Sequence, residues 1–253
     1  MTLWATNRWL RFRVLNPGEE RARSLLEESH PLRRLGLVTS RNDWTISSQT
    51  RLLLYHMVET TQPRRIIECG SGTSTIIFAD YAARHDQGGR PAPLIWSIDH
   101  DGHWMEATRK SLEERGLAKY VRLVHAPIDE RLVFGKSMQG YRLPPSVRAE
   151  LAAAEAFDFC LIDGPPHTVG RFASLPTVAG YLAPGAVVLL DDAFRPDEQA
   201  AWKLWREHYP KSLVHSRLIL THRGMAMGRW YPRDLAGLQA SSGEPMAAGT
   251  AHS

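Results

Sequence analysis

The sequence predicts an α/β fold in which a mainly parallel sheet carries helices on both faces and closes with an antiparallel hairpin. Three observations support this. Between residues 64 and 209, short apolar and β-branched runs alternate five times with helix-length stretches, the pattern of βα units that build a parallel sheet. The first run, Arg65-Ile66-Ile67-Glu68-Cys69, stops at the turn Gly70-Ser71-Gly72, which opens a helix. The last two runs, ending at Tyr231, are separated only by Arg223-Gly224. So short a link can make only an antiparallel hairpin.

Taken in order, residues 1–42 read as an N-terminal helical extension carrying Trp4, Trp9, Phe12, Arg21, Arg23, Arg33 and Arg34, with a short helix stopped at Pro31. Its simplest role is to cover one edge of the main domain, residues 43–232. Residues 43–63 form an amphipathic helix with Ser47 or Ser48 as N-cap, broken by Pro63. Strand 64–69, helix 74–85, strand 94–99, a helix stopped at Gly116 and strand 120–128 follow. Residues 129–145 read as an irregular insertion and 146–156 as a helix. Strand 157–163, a loop with Pro165-Pro166-His167, a helix near 172–182, strand 186–192 and a helix over 195–209 complete the alternation. In that last helix Trp202 and Trp205 read as packing residues, with only one pointing fully at the core. Residues 233–253 are small and polar without periodicity and read as a disordered tail.

Composition narrows the class. A chain of 253 residues suits one domain with small extensions, and its net charge of +4 is a mild excess. No run of about 18 apolar residues exists, and Arg8, Arg11 and Arg13 interrupt the apolar N-terminus. A cytoplasmic location is the expectation. The two cysteines, Cys69 and Cys160, read as packed thiols. A stagger of about four residues, roughly 13 Å along their strands, argues against a disulfide.

In parallel sheets ligands sit at the carboxyl ends of strands. Those ends carry Glu68, Asp99, Asp129, Asp163 and Asp191-Asp192. A dinucleotide turn needs a third glycine that is missing here. An acid at Glu68 would repel a pyrophosphate but suits an ammonium group, and Asp99 can accept both hydroxyls of a ribose. A ligand with an amino-acid end, a ribose and no phosphate is S-adenosylmethionine (SAM).

At these residues the chain resembles the class I SAM-dependent methyltransferases, over about Ile66 to Tyr231. Glu68-x-Gly70-x-Gly72 looks like the family's first motif, although Ser74 stands where a glycine is commoner. The resemblance implies a Rossmann-like seven-stranded sheet of order 3-2-1-4-5-7-6. It also implies SAM binding by Glu68, Gly70, Gly72, Thr73, Ser74, Asp99, His100, Ala126, Pro127 and Asp163. The phrases GSGTST, FDFCLIDG and PGAVVLLDD are similar to the small-molecule O-methyltransferase branch that holds the catechol, caffeoyl-CoA and macrocin types. Cation-dependent members place carboxylates where Asp163, Asp191 and Asp192 stand, which implies a site for Mg²⁺ or another divalent cation. Pro165-Pro166 departs from the catechol and caffeoyl-CoA types.

Asp163 and His167 are the candidate catalytic residues, the histidine as general base or substrate contact. Trp104 is placed to stack near adenine or to pack in the core. The expected function is methyl transfer to a hydroxyl of a small-molecule acceptor. Alternatives are an RNA or protein methyltransferase, which the basic N-terminus favours, and a non-catalytic SAM-binding scaffold. Asp163-Gly-Pro-Pro lacks the asparagine and aromatic of the Asn-Pro-Pro-Tyr-like loop that RNA base methylators often carry, which argues against base amines as acceptors. The acceptor's identity and the oligomeric state, a homodimer included, stay open.

Overall fold

The computed structural model describes residues 17–37 and 45–232. Seven strands form one sheet: β1 (Arg65–Cys69), β2 (Leu94–Asp99), β3 (Val121–His125), β6 (Phe157–Ile162), β7 (Leu182–Asp191), β8 (Leu213–Ile219) and β9 (Met225–Trp230). Their order is β3-β2-β1-β6-β7-β9-β8. The first five are parallel and β9 runs antiparallel to both β7 and β8. This is the order expected from the sequence. Strand order reverses between β1 and β6, the switch point where a cleft opens.

Side chains of successive residues point to opposite faces. One face, with Ile67, Cys69, Cys160, Ile162, Val188 and Leu190, packs on α5 (Pro145–Ala153), α6 (Ser174–Val178) and α7 (Pro196–His208). The other, with Ile66, Phe159, Leu161, Val187 and Leu189, packs on α1 (Glu19–Glu28), α2 (Ser48–Thr61), α3 (Thr73–Gln87) and α4 (Gly102–Glu114). Both faces are covered, so the central strands are mostly apolar, with Ser97 inside β2 and Arg65 and Asp158 at the entry ends of β1 and β6 as exceptions besides the acids at the exit ends.

Ser47 is the N-cap of α2, its hydroxyl accepting from Thr50 N–H at 3.0 Å. Glu19 of α1 adds a second cap from a distance, accepting from Ser48 and Gln49 N–H at 2.7 and 3.0 Å. Such a carboxylate satisfies two otherwise unpaired donors and opposes the helix dipole. Helix α1 ends at Glu28, before the expected stop, and Pro31 opens a 3₁₀ turn over Pro31–Leu35. The aromatic residues Trp4, Trp9 and Phe12, the edge of the extension at residue 42, and the tail 233–253 lie outside the described residues.

Four sequence expectations need correction. Strand β3 ends at His125, so Ala126-Pro127 form a turn and Ile128 begins a new strand. The supposed irregular insertion is an antiparallel hairpin of β4 (Ile128–Val133) and β5 (Lys136–Tyr141). Its two-residue turn has positive φ at Phe134 and Gly135, the turn geometry that matches strand twist. Phe134 adopts it because its ring stacks on His208 at 4.0 Å and meets Tyr209 edge-on at 5.3 Å. Trp202 and Trp205 are both buried. Each finds a partner for its indole N–H, Ser216 Oγ at 2.8 Å and Phe172 O at 2.7 Å respectively. Finally, Cys160 lies level with Ile67, so its stagger to Cys69 is two residues rather than four. Glu68 aligns with Leu161, and the two strand-end acids are therefore not level. Both thiols are free and buried.

Candidate active site

The glycine turn is held from three sides. Gly70 has φ 95°, and a Cβ there would lie 3.0 Å from Gly164 N. Gly72 has φ 143°, and a Cβ there would lie 3.2 Å from the Trp104 indole nitrogen. Both values exclude ordinary side chains on backbone and contact grounds together. Trp104 donates from Nε1 to Ser71 O at 2.6 Å. Its task in this structure is to brace the turn.

Beneath the turn lies Glu68, fully buried. Register explains this: Glu68 shares the face of Ile66 and Leu161, under the first turn of α3. Its carboxylate accepts from Ser74 Oγ at 2.7 Å and from Thr75 Oγ1. Thr75 Oγ1 in turn accepts from Gly72 N–H at 2.9 Å. Burial pushes the Glu68 carboxyl up to about 7, although the Thr75 and Ser74 hydroxyls pull it down. Glu68 and Ser74 thus work inside the protein, tying turn to strand, while Thr73 is half-buried at the start of α3.

Asp99 stands one strand over, level with His125. Its Oδ2 accepts from Ser71 N–H at 2.6 Å and Ser71 Oγ at 2.8 Å, and its Oδ1 accepts from Asp101 N–H at 3.0 Å. His100 Nδ1 lies 3.2 Å from the same Oδ1. Ala126 is buried beside it, its N–H donating to Asp99 O at 2.7 Å. Pro127 O accepts from Arg142 N–H at 2.8 Å, which joins the turn after β3 to the far end of the hairpin.

On the other side of Gly70, Asp163-Gly164 follows β6. Gly164 packs so tightly on the turn that a Cβ would lie 2.9 Å from Gly70 Cα and 2.2 Å from the Tyr141 hydroxyl. Tyr141 comes from the hairpin, is fully buried, and its hydroxyl has no hydrogen-bond partner among the described residues. A buried hydroxyl at the meeting point of two glycine turns is suited to a bound polar ligand.

Asp163, Asp191 and Asp192 do come together, each offering an oxygen within 4.8 Å of the others. They share a partner that sequence reading missed. Arg171, 4% exposed in its side chain, places Nη2 3.1 Å from both Asp163 Oδ1 and Asp192 Oδ2. Nη1 donates to Asp191 O at 2.9 Å, and Nε donates to Pro165 O at 3.2 Å and faces Glu198 at 3.8 Å. Arg195 lies 2.9 Å from Asp192 and Arg223 lies 3.8 Å from it. Burial raises the Asp163 carboxyl, Arg171 pulls it back, and it rests at about 6. Burial, then Asp163 and Asp192, push Asp191 well above the usual carboxylate range. Asp191 Oδ1 accepts from Thr50 Oγ1 at 3.4 Å, bringing the start of α2 to this side of the cleft. His167 is exposed on the loop before Arg171 and is not one of this cluster.

The carboxylates alone have a metal site's spacing, but the residues around them do not fit a divalent cation. A guanidinium already bridges the Asp163 and Asp192 carboxylates and holds the Asp191 carbonyl, with all three nitrogens engaged, and a hard cation needs about six oxygen ligands around it.

A parallel α/β sheet of this order, with an acid-glycine turn beside a second-strand aspartate, defines a SAM-dependent methyltransferase. The family described as a methyltransferase domain matches residues 67–193, and the chain belongs to it. Solved structures share the fold. An O-methyltransferase from Bacillus cereus in complex with SAH is 15% identical, with a TM-score of 0.58 over 83% of this chain and 97% of that one. TomG, an O-methyltransferase from Streptomyces achromogenes involved in tomaymycin synthesis and solved with SAM, is 19% identical, with a TM-score of 0.52 over 91% and 100%. The SAH-bound Podospora anserina methyltransferase PaMTH1 is 14% identical, with a TM-score of 0.52 over 91% and 97%. No curated protein sequence matches the chain. No helix of the described residues is long and apolar enough to cross a membrane.

Proposed function

We propose that the protein transfers the methyl group of SAM to a hydroxyl of a small-molecule acceptor, with Asp163 as the residue nearest the reacting oxygen. The observation that carries this reading is the position of Asp163. It adjoins the Gly70–Gly164 contact, and its side chain is 22% exposed whereas those of Asp192 and Glu198 are 5% and 2% exposed. SAM, when bound, supplies a methyl group on a sulfonium.

The residues divide the work. Gly70, Gly72 and the start of α3 give a close-approach surface for the methionine end, with Thr73 at its edge. Asp99 and His100 would hold the ribose, and Ala126 and Pro127 would wall the adenine. Tyr141 reaches the same space from the hairpin, and its hydroxyl would donate a hydrogen bond to the bound cofactor while keeping its proton. Asp163 would orient the acceptor hydroxyl and take its proton as the oxygen gains the methyl group that SAM would supply, S-adenosylhomocysteine being the leaving group. Orientation of this kind supplies much of a bimolecular rate enhancement. With its carboxyl near 6, Asp163 is mostly ionised at neutral pH and can accept a proton.

The test is methyl transfer across a panel of phenols, sugar hydroxyls, amines and RNA. Turnover with at least one hydroxyl acceptor, falling as pH drops through about 6 and lost in Asp163→Asn, supports the reading. Transfer to amines or RNA alone overturns it.

A further inference from the structure

We propose that Arg171 is the resident cation of the strand-end carboxylates, standing where a divalent ion would otherwise be held, so that this cleft works without metal. Three features carry the inference. The first is placement. One guanidinium bridges Asp163 and Asp192 at 3.1 Å each, and its other two nitrogens are tied to Asp191 O and Pro165 O at 2.9 and 3.2 Å. A planar fork held in this way is pre-organised and keeps its charge at every working pH. The second is charge. Asp163, Asp191, Asp192 and Glu198 face Arg171, Arg195 and Arg223. Four negative against three positive charges leave at most one uncompensated, too few to repay the dehydration of a divalent ion. The third is access. Asp191 and Asp192 are 1% and 3% exposed, so an ion bound to them could not also present open positions to an acceptor.

Arg171 itself is too buried to touch an acceptor. It is a positioning residue: it fixes one oxygen of Asp163 and keeps that carboxyl from rising further. This catalytic meaning rests on the proposed function, but the cation exchange does not. Mn²⁺ binding reads the cluster whatever the acceptor turns out to be.

The experiment is a Mn²⁺ titration of the full chain followed by electron paramagnetic resonance, on wild type, Arg171→Met, Arg171→Lys, Asp163→Asn, Asp192→Asn, and Arg171→Met combined with Asp163→Asn. Wild type and Arg171→Lys are expected to leave Mn²⁺ free at millimolar concentration. Arg171→Met is expected to bind it at least tenfold more tightly, and Asp163→Asn to abolish that gain. Methyl transfer by wild type is expected to be unchanged by a chelator. If wild type binds Mn²⁺ and Asp163→Asn or Asp192→Asn removes the binding, the proposal is overturned. It is equally overturned if Arg171→Met folds and gains no Mn²⁺ affinity. Should that variant not fold, the wild-type titration with the two aspartate variants still decides the question.

Discussion

Replacing Thr75 by valine keeps the side chain's shape and removes one oxygen. That oxygen accepts from Gly72 N–H at 2.9 Å and donates to Glu68 Oε1, below a turn from which water is excluded. The substitution leaves the Gly72 N–H buried without its partner and takes from the Glu68 carboxyl one of the hydroxyls that hold it. Each of the two losses costs about 1–3 kcal/mol, so the total is on the order of 2–6 kcal/mol. Against an ordinary stability of about 5–15 kcal/mol the change is large. Urea unfolding followed by tryptophan fluorescence measures it, and calorimetry with S-adenosylhomocysteine measures its consequence for the cleft. Affinity is expected to fall about tenfold or more, equivalent to about 1.4 kcal/mol, because Gly72 is no longer held at its unusual φ. Thr73→Val, two positions earlier and half-buried, serves as control and should stay within about 0.5 kcal/mol of wild type. If Thr75→Val is as stable as that control and binds with unchanged affinity, the buried relay does not hold the turn.

Two further outcomes follow from the same site. The Glu68 carboxyl is raised from 4.5 to about 7, so the folded state binds the extra proton and stability falls as pH rises from about 4.5 through 7. The full loss is roughly 3 kcal/mol, and Glu68→Gln should flatten that part of the stability–pH profile; an unchanged slope would contradict the assignment. Tyr141→Phe removes a buried hydroxyl with no partner among the described residues, so the ligand-free protein should gain about 1 kcal/mol. S-adenosylhomocysteine should bind the same variant about five- to tenfold more weakly, roughly 1–1.4 kcal/mol, and equal affinity would remove Tyr141 from the cofactor site.

The strand ends are legible in the sequence because burial on both sheet faces makes the central strands largely apolar runs, and each is followed or closed by an acid or glycine where it emerges. Gly70, Asp99 and Asp163 therefore mark strand ends in the chain alone, and they stand at those ends in the fold. The direction of Glu68 is not legible, since it depends on the register of β1 against β6 and on which helix covers that face. Arg171 is hidden for a related reason. Its partners come from the ends of β6 and β7, the loop between them and α7, and no local spacing joins those segments. Tyr141 is hidden because its hairpin lacks clean alternation and turns at Phe134-Gly135, where a phenylalanine is held at positive φ by ring contacts from His208 and Tyr209. Trp104 offers two readings by periodicity, and its contact with Gly72 is visible only in space.

The central claim is that the cleft between Gly70 and Asp99 holds the cofactor, and calorimetric titration with S-adenosylhomocysteine tests it most directly. Wild type should bind one equivalent with a dissociation constant on the order of 1–100 µM, about −8 to −5.5 kcal/mol. Asp99→Ala should weaken this at least about tenfold while the protein stays folded by circular dichroism. No heat of binding at saturating ligand, or equal affinity in wild type and Asp99→Ala, would contradict the account.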